Sequence, residues 1–61
     1  MNETKLKKRR KEIGLTQVEV AKKAKVSVRS YQRMELGTRI PRADTAKLIA
    51  KALDTTVEKL F

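Results

Sequence analysis

The sequence predicts an all-α fold, a compact five-helix domain made of short helices. Three observations carry that expectation. No segment alternates apolar and polar residues with the period of a strand, apolar residues recur instead at spacings of three and four, and Pro41, Gly14 and Gly37 are the only strong breakers. There is no repeat, low-complexity segment or Ser/Gly linker, so residues 1–61 are expected to form a single domain. A chain this short buries only about 60% of the surface it exposes when unfolded, so its stability will be modest unless a partner adds to it.

Residues 3–13 are rich in Lys, Arg and Glu, good helix formers, and end at Gly14, which suits the left-handed position after a helix. Leu6 and Ile13 supply a thin apolar stripe. The segment "TQVE", Thr16 to Glu19, has the form of a capping box, in which the Thr16 hydroxyl accepts an amide of the first turn and Glu19 reaches back. A second helix starts there and runs to about Ala24, with Val20, Ala21 and Ala24 inward. Ser27 is another good N-cap, so a third helix follows after only a few residues and extends to Gly37. Two capped helices joined this tightly make a helix-turn-helix pattern. After "TRIP", Ala43, Ala46, Ile49, Ala50 and Leu53 mark a fourth helix, with Asp44 in its first turn and Asp54 at its end. Thr56 is positioned to cap a last turn carrying Val57, Leu60 and Phe61.

Composition narrows the chemistry. The chain has no cysteine and no histidine, which removes disulfides, thiolate nucleophiles, Cys-based zinc sites and the usual general base at neutral pH. Its carboxylates form no metal-like cluster. No enzyme activity, metal or cofactor is therefore expected. The apolar runs are a few residues long, far short of the ~20 of a membrane span, and the first residues lack the apolar stretch of a signal peptide, so a cytoplasmic protein with no membrane partner is expected. The net charge of +9, with a pI near 10.4, is tolerated mainly where a polyanion neutralises it. Nucleic acid is the leading partner, ahead of an anionic membrane surface, because the basic residues do not sit opposite one large apolar face. The run "KLKKRRK", Lys5 to Lys11, is read as a helix face that adds long-range attraction to DNA.

In this order and spacing the sequence resembles the Cro/CI-type, or XRE, family of phage-repressor helix-turn-helix proteins. The resemblance rests on Arg10, "GLTQVEVA" from Gly14, "VS" at Val26 and Ser27, Tyr31 and Met34, "ELG", Pro41, "IAKAL" from Ile49, and the closing "VEKLF". It implies a lambda-repressor-like DNA-binding domain whose third helix lies in the major groove of double-stranded DNA. Carried over by position, it implies base contacts from Ser27, Val28, Arg29, Gln32 and Arg33, and phosphate contacts from Arg10, Gln17, Arg39 and Arg42. Arginine suits base reading because its planar fork binds guanine O6 and N7 together. The resemblance also implies an ion pair between Arg10 and Glu35, with Tyr31 and Met34 in the core. Two positions depart from the family: Lys25, where glycine is common at the turn, and Arg9, where many relatives are apolar.

The expected function is a sequence-specific DNA-binding transcriptional regulator, a repressor that acts as a homodimer on an inverted-repeat operator. Val57, Leu60 and Phe61 are the expected dimer contact, because relatives of this size bind as two-fold dimers. The alternative is an antitoxin or anti-repressor partner of the same fold, whose main role is to bind a toxin or another regulatory protein; clustering of Leu36, Leu48 and Phe61 would support it.

Overall fold

The computed structural model describes residues 4–61. Five helices follow one another: α1 (Lys5–Ile13), α2 (Gln17–Lys23), α3 (Val28–Glu35), α4 (Ala43–Ala52) and α5 (Val57–Leu60), with no strand among the described residues. The expected helical residue Glu3 lies outside them. Thr4 has extended backbone and accepts the Lys7 amide, so α1 begins at Lys5.

Local chemistry places most helix ends. The Gly14 amide reaches back to the carbonyls of Arg10 and Lys11 and that of Leu15 to Arg10, a closure that needs the left-handed φ of 85° at Gly14. Thr16 and Glu19 form both halves of the capping box that starts α2. Ser27 accepts the Ser30 amide and starts α3. That helix stops at Glu35, short of the expected Gly37, because Gly37 is itself left-handed and Leu36 already closes the turn. Thr56 does not fill its expected role: it is extended ahead of α5, but its side chain makes no cap hydrogen bond.

Leu6, Val20, Ala21, Ala24, Tyr31, Met34, Ile49, Ala50, Leu53 and Leu60 form one core, to which every helix contributes. The small Ala21 and Ala24 allow α2 to lie close to its neighbours α3 and α4. Ile13 does not extend the core; it is 38% exposed at the end of α1. Arg9 takes over that work in another form. Its Nε donates to the Leu53 carbonyl at 2.9 Å and Nη2 to the Asp54 carbonyl at 3.0 Å, satisfying acceptors at the α4 C-terminus and tying α1 to the turn before α5.

Candidate nucleic-acid interface

The turn joining α2 to α3 is short and internally bonded. The amide of Val26 reaches the Ala21 carbonyl and that of Lys25 the Lys22 carbonyl, which requires φ of 59° at Lys25. A lysine here costs about 1 kcal/mol relative to an unstrained backbone, and the turn stays tight despite the missing glycine. Because the turn is tight, α3 packs Tyr31 and Met34 inward against α2 and turns Arg29, Gln32 and Arg33 out.

The expected site residues fall into distinct environments. Arg29, Gln32 and Arg33 are exposed on one side of α3. Val28 is half-buried against the core and offers only its outer edge. Ser27 is exposed, but its hydroxyl is engaged locally, accepting the Ser30 amide and donating to Ser30 Oγ. Arg39 and Arg42 are exposed in the segment between α3 and α4, and both line a surface groove with Val26, Ser30, Met34 and Thr45.

Arg10 and Gln17 converge on Glu35. Arg10 holds the carboxylate through Nε and Nη2, and its Nη1 donates to the Leu15 carbonyl at 2.9 Å. Gln17 Nε2 donates to Glu35 Oε1 at 2.9 Å, and Gln17 Oε1 accepts from Gln32 Nε2 at 3.1 Å. Thr4 Oγ1 donates to the Glu35 carbonyl at 2.7 Å. Glu35 is thus the hub joining α1, α2 and α3, although it is only 4% exposed. Burial pushes its carboxyl pKa up, but the hydrogen bonds led by Arg10 outweigh it and hold the group below its ordinary value. The Tyr31 hydroxyl is buried beside this pair with no geometrically sound hydrogen bond among the described residues; burial first, then Glu35, raises its pKa and keeps the phenol neutral. The Gln17–Gln32 link was not foreseen. The only hint in the sequence was an amide at each of two helix positions, the half-buried Gln17 at the start of α2 and the exposed Gln32 on the outer face of α3.

At the opposite end, Leu60 sits in the core at 5% exposure and Val57 is half-buried against it, whereas Phe61 is 45% exposed. Of the three residues expected at a dimer contact, Phe61 alone presents a large free surface. Leu48 packs on the core, so it does not join Leu36 and Phe61 in an exposed set.

A capped helix, a bonded turn and a second helix with an outward polar face define a helix-turn-helix DNA-binding protein. The family model described as helix-turn-helix matches residues 6–60, and the chain belongs to that family in its Cro/CI, or XRE, type: DNA-binding transcriptional regulators rather than enzymes. No curated protein matches the chain. No helix among the described residues is long and apolar enough to cross a membrane.

Proposed function

We propose that this regulator is a repressor that binds an inverted-repeat operator as a dimer, with α3 in the major groove. The observation that carries this reading is the exposed Arg29, Gln32 and Arg33 on one side of a helix whose other side is locked into the core by Tyr31 and Met34. A rigid helix presenting long donors is what base-edge readout requires. Ser27 and Val28 lie at its leading end, the part that reaches base edges in this mode of docking.

Phosphate contacts position the reader. Arg39 and Arg42 supply free cations after α3, and Gln17 keeps one amide N–H beyond the one given to Glu35. Arg10 uses three of its five N–H groups inside the protein, so it can add a phosphate contact without releasing Glu35.

One recognition helix covers too few base pairs to mark an operator in a genome, so pairing through Phe61, with Val57 and Leu60 supporting it from beneath, completes the site. The two recognition helices should lie about 34 Å apart, one turn of B-DNA. Footprinting with sedimentation of the complex tests this. Two protomers on a symmetric footprint, with Phe61→Ala binding more weakly and less cooperatively, are expected. One protomer on an asymmetric footprint, with Phe61→Ala unaffected, would remove the dimer.

A further inference from the structure

The hydrogen bonds that lead from the buried ion pair to the outer face of α3 all run in one direction. Glu35, ionised and paired with Arg10, can only accept. The Gln17 atom 2.9 Å from its Oε1 must therefore be the amide nitrogen, and this turns the Gln17 oxygen toward Gln32. An oxygen there demands a donor, so Gln32 commits one N–H to it at 3.1 Å. What remains free on Gln32 is its carbonyl oxygen and its second N–H, in a fixed left-to-right order. An unrestrained glutamine amide is nearly the same shape either way round, and could present those two groups in either order.

We propose that Glu35 is a positioning residue for base recognition: acting through Gln17, its fixed negative charge sets which way round Gln32 presents its amide, and Gln32 held in this way reads an adenine. Adenine alone offers a donor at N6 beside an acceptor at N7 in the major groove, the complement of an amide oxygen and N–H. The seat of the charge does not drift, because Arg10 grips the carboxylate and Thr4 grips the Glu35 backbone carbonyl. Gln17 also keeps one N–H for a phosphate, so the side chain that registers the DNA backbone is the one that orients the reader. This assignment rests on α3 lying in the major groove.

The test compares wild type, Gln17→Met, Gln32→Ala and the double variant by selection of bound sites from random duplex DNA. Thermal melting establishes that each is folded, since Gln32 is exposed but Gln17 is half-buried and donates to Glu35. Gln32→Ala should reduce preference for adenine at one base pair per half-site by about tenfold or more. Gln17→Met should relax the same position to a similar extent, in addition to weakening all sites, and the double variant should relax it no further. In the free protein, the Gln32 side-chain amide resonances should move in Gln17→Met. Uniform weakening by Gln17→Met with adenine preference intact, or unmoved Gln32 amide resonances, would overturn the proposal while leaving groove binding by α3 in place. Absence of any sequence preference in the wild type would overturn both.

Discussion

Glu35→Ala should leave the domain largely unfolded at room temperature. The substitution strips the partner from Arg10, whose guanidinium lies largely shielded between α1, the Leu15 carbonyl and α3, with one edge open to solvent. Breaking one side of a buried pair costs about 3–5 kcal/mol, because the surviving charge stays desolvated. A core of this size rarely supplies more than about 3–5 kcal/mol in total, so the loss is as large as the stability itself. Arg10→Met combined with Glu35→Leu should melt close to wild type, since removing both charges removes the penalty with the pair. The pH dependence has a definite sign. Hydrogen bonds from Arg10, then others including that from Gln17, outweigh the upward push of burial, so the folded carboxyl titrates below its ordinary value. The stability it confers is complete above the unfolded value of about 4.3 and is lost as the pH falls below that toward the folded value. Melting followed by circular dichroism should show wild type losing stability across that acid range more steeply than the double variant. Equal slopes, or a well-folded Glu35→Ala, would show that the pair is not what holds α1 to α3.

Affinity for duplex DNA should fall about a thousandfold between 50 mM and 200 mM salt. The net charge of +9, with Arg39 and Arg42 exposed beside α3 and the basic run of α1, supports neutralisation of about six phosphates, which gives a slope near −5 for log K against log salt. Fluorescence anisotropy across a salt series measures it. A slope near zero would mean that counterion release contributes nothing and that duplex DNA is not the physiological ligand.

What could be read from the sequence and what could not divide along contact range. Thr16 with Glu19, Ser27 with Ser30 and Gly14 with Arg10 act within one turn, and the residue types alone identify them. The boundary of α3 was missed by two residues because Leu36 and Gly37 both suit a helix end and only the backbone chooses between them. Arg9 read as a defect in an apolar stripe; its value is a bond to carbonyls 44 and 45 positions away, which no local pattern carries. In the site, the spacing on α3 was enough to turn Arg29, Gln32 and Arg33 outward. The Gln17–Glu35 contact spans 18 positions and depends on how α2 and α3 cross, so the relay it begins became visible only in three dimensions. Leu60 and Phe61 are adjacent and both apolar, and only the direction in which α5 ends sends one into the core and the other out.

The central claim is that α3 reads sequence. Selection of bound sites from random duplex DNA, run in parallel on wild type and Arg33→Ala, tests it most directly. Wild type should enrich an inverted repeat with half-sites one helical turn apart, and Arg33→Ala should lose about 1 to 3 kcal/mol of preference at one base pair per half-site while keeping the rest. Failure of the wild type to enrich any sequence, or an Arg33→Ala profile identical to wild type except for a uniform loss of affinity, would contradict it.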